Sequence, residues 1–496
     1  MITRNRILAI SIFLAVLICS SCAAPTQSSG SITAIPTNGS TSSAAGTSLP
    51  QENDKPPVNQ DSSSSGGLSL ADHAAVPHEP APPLYAFDLE HSQLLIFTAE
   101  AKDPVAFTMP MPFQFTFHPS PDHERVAYLG GDLTLDPGLE LHVFQTSDGQ
   151  QETRLAILAP GWQRSNEAGE LPEEDPVPAI SEFEAMAWSP DGRQLAFAGA
   201  IERFAAELYL LNTSTQAVVR AANLSYAPAL PAWSPDGRKV AFILVSSFGT
   251  GAGWNTAGIG IVQVETGELQ IVTSDEQLRV RHWLSEDTLL LSRWNLTWGM
   301  HDLGVMDTNT GVIDWFFEGP LFTEVDIPDG GRIALLTSPQ GTSTANASGI
   351  YVVSPSQPAA ICLPLGEESL YTLEWSPALN LLYASFEAET VFLTADCAER
   401  VSISLGGWTQ VSPDGEWVVA RPPEGNEIVL YSTRDGEVQR WDELSVSDIH
   451  WLPDSSGLLV LTPERELYTI RFDPDGESLF LPPELISSNA ILNLRP

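Results

Sequence analysis

The stretch Ala187-Trp188-Ser189-Pro190-Asp191-Gly192-Arg193-Gln194-Leu195-Ala196-Phe197 returns almost unchanged as Ala232-Trp233-Ser234-Pro235-Asp236-Gly237-Arg238-Lys239-Val240-Ala241-Phe242. An apolar run enters the phrase, Pro-Asp-Gly supplies a preset φ and then a residue tolerant of positive φ, and a second apolar run leaves it. That is a β-hairpin. Aligned on the Trp, the phrase falls at Phe117, Trp188, Trp233, Trp283, Asp326, Trp375, Val411 and Trp451, with most steps between 40 and 50 residues. Such a period with strand-turn-strand content predicts a β-propeller of four-stranded blades.

Working outward, Glu207 to Leu211 and Ala217 to Val219 form a second hairpin around Asn212 to Gln216. The same outer hairpin recurs at Ile259 to Val272, Leu303 to Phe317 and Ile428 to Trp441. A lone four-stranded sheet with two apolar faces cannot hide both, so the blades must stack, and the Trp closing each first strand is placed to fill the wedge between neighbours. The expectation is an all-β fold, a single propeller of four-stranded antiparallel blades over residues 83–496. Eight motif hairpins predict eight blades. Seven is the alternative if a degenerate repeat is an insertion. Nine is the alternative if the early hairpin Leu84–Asp88 and Leu94–Phe97 joins the tail Ala490–Leu494 to close the ring and protect its edges.

The two full phrases, each followed by a strand such as Glu207-Leu208-Tyr209-Leu210-Leu211, resemble the WD-repeat-like propeller repeats of the TolB type, found also in the propeller domains of prolyl-oligopeptidase-like peptidases. The resemblance spans roughly residues 115–482. Val411-Ser412-Pro413-Asp414-Gly415 keeps all but the Trp, Trp375-Ser376-Pro377 keeps the first half, and Trp451-Leu452-Pro453-Asp454 keeps three of five. What it implies is a scaffold; the motif carries no chemistry.

Residues 1–21 read as a secretory signal peptide, with Arg4 and Arg6 before an apolar run from Ile7 to Ile18 that is short for a bilayer span. Ser21-Cys22-Ala23-Ala24 resembles a bacterial lipobox. Ser21 gives Cys22 the small preceding residue that lipidation requires, whereas Cys19 follows Ile18; the departure is Cys19 where the family usually has Leu. The expectation is an exported chain, lipid-anchored to the cell envelope through Cys22, with ordinary secretion as the alternative. Residues 22–82 are rich in Ser, Thr, Gly, Pro and Ala and bury too little to offset ordering entropy, so they read as a disordered tether. Sixty flexible residues reach about 40 Å.

The formal charge is −40, from 63 Asp and Glu against 23 Lys and Arg. Counterion-release binding to nucleic acid needs basic patches, so no nucleic-acid partner is expected, and anionic headgroups repel the domain despite its anchor. Cys362 and Cys397 are the cysteines of the folded part, in an outermost strand and at the start of the next repeat's last strand. Export allows a disulfide between them; separate buried thiols are the alternative.

Little in the sequence points to catalysis. No Gly-x-Ser-x-Gly occurs and no hydrolase domain is expected after the repeats, so the peptidase route is excluded. His282 and His450 share one repeat position, on different blades, and read as hydrogen-bonded strand histidines; no metal or cofactor is expected. Loops joining strands two to three and blade to blade share one face, and the long insertions fall there. They carry Trp162, Glu173, Glu174 and Asp175, then Trp254, then Trp298 and His301. Aromatics with carboxylates on one rim suit a binding surface for a protein, peptide or glycan. Two function classes follow: a surface-anchored, non-catalytic binding scaffold, or an extracytoplasmic lyase or hydrolase working with acidic groups in the channel.

Overall fold

The computed structural model describes residues 70–73, 180 and 81–493, the last with breaks at 133–137, 160–184 apart from 180, 203–204, 248–253, 274–276, 296–298, 329–330, 339–344, 346, 367, 424, 426 and 474–478. Contacts divide the chain into Met1–Ser63 and Ser64–Pro496, and every described residue lies in the second unit. The signal peptide, Ser21 and Cys22 lie outside the described residues.

Among the described residues nine four-stranded antiparallel sheets follow one another along the chain. The phrase at Trp188 belongs to blade 3, built from Met186–Trp188, Gln194–Gly199, Glu207–Asn212 and Ala217–Arg220; blade 2 runs from Pro112 to Ala156, and blades 4 to 9 begin at Ala227, Gln277, Thr323, Thr372, Trp408 and Asp448. The first strands of successive blades touch one another, so they form the innermost ring around the channel. Blade count is nine, one more than the motif count. The reason is that blade 1 takes Leu84–Asp88, Gln93–Phe97 and Val105–Thr108 from the N-terminal side and its innermost strand, Ala490–Asn493, from the C-terminal side. Tyr85 pairs with Asn493 and Asp88 with Ala490. This blade contains no Ser-Pro-Asp-Gly turn, so the motif could not count it.

The register at the first repeat also differs from the motif alignment. Pro119 pairs with Val126 across six intervening residues, as Trp188 pairs with Leu195, so Pro119 and not Phe117 occupies the Trp position of blade 2. The degenerate turns keep the backbone of the good ones. Gly192, Gly237 and Gly415 sit at φ 66°, 69° and 74°, the same corner is made by His123 and Ser455 at φ 56° and 59°, and after Trp375 the left-handed residue falls one position later, at Asn380 with φ 55°. Asn is tolerant of this region; His and Ser are less so, and the hairpin around them holds them there. In the full turns Ser189 Oγ donates to Asp191 Oδ1 and accepts from Gln194 N, and Ser234 and Ser412 repeat the pattern.

The tryptophans fill the wedges as expected and also fasten them. Trp188 Nε1 donates to His118 O at 2.8 Å, Trp233 to Ala187 O at 2.9 Å, Trp283 to Ala232 O at 3.0 Å and Trp451 to Gln410 O at 3.1 Å. Each reaches the first strand of the preceding blade. All four indoles are buried, which leaves their N–H groups in need of such a partner.

Two further differences concern the flanks. Within the segment expected as tether, Leu70–His73 forms one helical turn, and Leu70 is buried against Leu379, Leu405 and Val418 in the core of blades 7 and 8. Cys397 lies in the turn before Arg400–Ile403 and not at that strand's start; it is disulfide-bonded to Cys362 of blade 6, with Cα atoms 5.0 Å apart. The bond ties blade 6 to blade 7 at the rim.

Candidate functional site

The sequence pointed to long insertions on one face. Trp162, Glu173, Glu174, Asp175 and Trp298 lie outside the described residues. Trp254 begins the strand Trp254–Gln263, its backbone paired with Ser247, so the expected loop there is largely a continued hairpin. His301 is likewise in a strand, Gly299–Asp307, opposite Arg293. Its Nδ1 lies 2.5 Å from Asp302, a buried carboxylate at φ 58° that also holds Arg293 Nη2 at 2.5 Å and accepts from Gly319 N at 2.7 Å. Arg293 in turn stacks on Trp315 at 4.1 Å. This cluster joins three strands of blade 5 at a bulge, and His301 belongs to it as a structural partner.

The same face carries a cavity at the channel mouth. First strands start on that face, and the cavity of about 480 Å³ opens between those of blades 6 to 9, from Thr323 of Thr323–Ile327 to Asp448 of Asp448–Trp451. Its aromatic wall is Tyr371 and Trp408, edge to face with centroids 5.0 Å apart. Trp408 is 46% exposed, and its cross-strand partner Arg421 lays the guanidinium over the indole at 4.4 Å and donates to Val446 O.

The chain before Trp408 explains why the indole sits there. Ser385 Oγ donates to Gly407 O, Gly407 N to Phe386 O, and Thr390 Oγ1 to Leu405 O, so the linker is tied into blade 7. A Cβ on Gly406 would meet the carbonyl oxygens of Phe386 and Glu387 at 2.5 and 2.4 Å, and Gly407 has φ 94°. Only the pair of glycines lets the linker run this close.

The polar wall holds groups with opposed tendencies. Glu374 opens to the channel yet is crowded by protein, and that burial raises its carboxyl above the usual range, although Tyr383 Oη donates to it. Asp448 is also partly desolvated, but the hydrogen bond from His450, at 3.0 Å, and the backbone N–H of Ile449 outweigh this and hold it low. His450 Nδ1 meets Gln410 Nε2 at 3.1 Å across the blade 8–9 boundary. His282 also makes an inter-blade contact, but to the following blade, with Asp326 at 3.4 Å. Thr409, 1% exposed, lines the cavity, and its buried hydroxyl has no hydrogen-bond partner. Among the described residues no group of three His, Cys, Asp or Glu is arranged to hold a metal ion.

Long insertions drew attention away from this site. The available signal was Gly406-Gly407-Trp408, a strained approach delivering an aromatic to the first residue of an inner strand.

These observations define the class: a nine-bladed β-propeller with an aromatic-acidic pocket at one mouth of its channel. No family model and no curated protein sequence matches the chain. Among solved structures it is similar to a eukaryotic initiation factor, at 11% identity over 84% of this chain and 98% of that one with a TM-score of 0.51. It is similar also to TolB from Acinetobacter baumannii, at 17% identity over 55% of this chain and 60% of that one with a TM-score of 0.31. A third is oligogalacturonate lyase in complex with manganese, at 12% identity over 77% and 93% with a TM-score of 0.38. The chain thus spans about three fifths of that TolB, and at these identities the likeness is one of β-propeller fold.

Proposed function

We propose that this chain is an exported, lipid-tethered binding module whose ligand seats at the channel mouth between blades 6 and 9. The observation that carries the reading is the exposed Trp408, packed against Tyr371 and Arg421, over a cavity that Glu374 and Asp448 also line. Pockets with an aromatic wall and a few convergent polar groups are where small ligands and partner side chains bind. Export and anchoring rest on Arg4, Arg6 and Ser21-Cys22. Capture of envelope components by the wild-type domain and by Trp408→Ala tests the site. Equal capture by both, with both folded, would remove it. Mass spectrometry of the mature N-terminus tests the anchor: it should begin at lipid-modified Cys22, and Cys22→Ala should release the domain or stall processing, while Cys19→Ala does much less.

One observation favours a second reading. Glu374 is pushed up and Asp448 is held down within one cavity, the pattern of a general acid and base. Tyr383 and His450 occupy one oxygen of each, which weighs toward binding. Turnover of an envelope glycan or peptide that is lost in Glu374→Gln would favour the enzyme.

A further inference from the structure

Large apolar side chains recur where the blade-to-blade linkers meet the inner ring. Met111 and Tyr226 immediately precede the first strands of blades 2 and 4, Phe322 and Tyr371 those of blades 6 and 7, and Trp408 begins that of blade 8. Met111, Tyr226, Phe322 and Trp408 are 47%, 40%, 52% and 46% exposed. Phe322, Tyr371 and Trp408 stand on three consecutive blades, so they form an arc along the rim of the cavity that Thr323, Tyr371 and Trp408 line. Exposed apolar groups gathered at a polar pocket mark an interaction surface.

The charges name the partner. Glu374 and Asp448 face the cavity with one cation, Arg421, whose guanidinium is engaged by the Trp408 ring and Val446 O. With both carboxylates ionised the lining carries one net negative charge, inside a chain of net charge −40. An anionic guest would be repelled at long range and within the pocket. A Lys or Arg side chain would gain the two carboxylates and the aromatic wall, and would relieve the burial cost now borne by Glu374. We infer that the ligand is an extended, basic polypeptide segment, one cationic side chain entering the cavity between Glu374 and Asp448 while neighbouring apolar side chains lie along Phe322, Tyr371 and Trp408.

This inference rests on the channel mouth being the binding site, and the experiment separates the two. Isothermal titration of the soluble domain uses three probes: an unstructured dodecapeptide of Lys and Leu spaced by Ser and Gly, its counterpart with Glu for Lys, and a neutral hexasaccharide. The Lys peptide should bind, weaken as salt rises, and lose at least tenfold in affinity in Trp408→Ala, in Phe322→Ser and in the pair Glu374→Gln with Asp448→Asn; the Glu peptide should not bind. Phe322→Ser is an exposed change that guards against misreading a folding defect. Saccharide binding that Trp408→Ala removes, without Lys-peptide binding, would overturn the inference and leave the site standing. Lys-peptide binding untouched by all the variants would overturn both. No binding of any probe by the folded domain would overturn the inference.

Discussion

The indole Nε1 of Trp233 donates a 2.9 Å hydrogen bond to the carbonyl oxygen of Ala187, the residue preceding the equivalent Trp188 one blade earlier. The repeat thus carries its own fastener, since each such Trp both fills a wedge and bonds the strand beside it. Trp233→Ala should destabilise the domain by about 3–5 kcal/mol in denaturant unfolding, through the cavity left behind. Trp233→Phe should cost less, because much of the volume stays while the carbonyl loses its partner. A loss below about 1 kcal/mol for the alanine variant would mean that the wedge does not depend on this side chain.

Acid should weaken the fold through buried histidines. His142, fully buried and stacked on Tyr128 at 4.9 Å, is lowered to about 4, chiefly by desolvation, with Glu140 at 3.7 Å offsetting part of it. His118 is lowered to about 4 by the same cause. The unfolded chain therefore binds more protons than the folded one between about pH 6.5 and 4, so stability is full above that window and falls as pH drops through it. His142→Asn should flatten the slope of stability against pH in this window, by roughly 3 kcal/mol across it. An unchanged slope would refute the assignment.

Asp302 holds three groups at once, so its loss should exceed that of an ordinary ion pair. Asp302→Ala should cost about 3 kcal/mol because it removes the buried carboxylate that pairs Arg293 and His301 and accepts from Gly319 N. Asp302→Asn should be milder, since the amide oxygen can still accept from Gly319 N and Asn tolerates the left-handed φ. Urea midpoints of both variants give the order; a reversed order would refute the roles of the bond from Gly319 N and of the left-handed φ.

The bond between Cys362 and Cys397 closes a separation of 35 residues across two blades. In the chain-entropy picture a loop of that size is worth about 3–4 kcal/mol. The oxidised domain should show no reactive thiol on denaturation, and reductant or Cys362→Ser should lower the melting temperature by similar amounts. Two titratable thiols in protein recovered from the envelope would overturn this.

Much of the architecture was legible because the Pro-Asp-Gly corner has a local cause. Its φ requirement writes itself into the sequence as Gly192, Gly237 and Gly415. Where His123 and Ser455 take the corner the shape persists and the letters do not, which is why the first repeat was set two residues out of register. Blade 1 escaped the count because its inner strand has no turn to announce it. The pocket was hidden for a different reason: Tyr371, Trp408, Glu374 and Asp448 come from separate repeats, and only ring geometry brings them together. His301 was expected in a loop because a polar residue beyond a regular strand reads as one, whereas the bulge at Asp302 prolongs the ladder and places it in a strand.

The borrowed inner strand of blade 1 sets the order in which the molecule can be finished. Leu84–Asp88 leads the ring, yet its neighbour on the axis side is Ala490–Asn493. A chain made N-terminus first must keep that three-stranded sheet with one bare edge until Ala490–Asn493 is available, exposing a template for pairing with other chains. Closure joins segments about 400 residues apart, so it should come late and slowly, after the blades between them have formed. Such a molecule is most vulnerable before that pairing is made, and a holding chaperone that covers the edge of Leu84–Asp88 would protect it then more than at any later time.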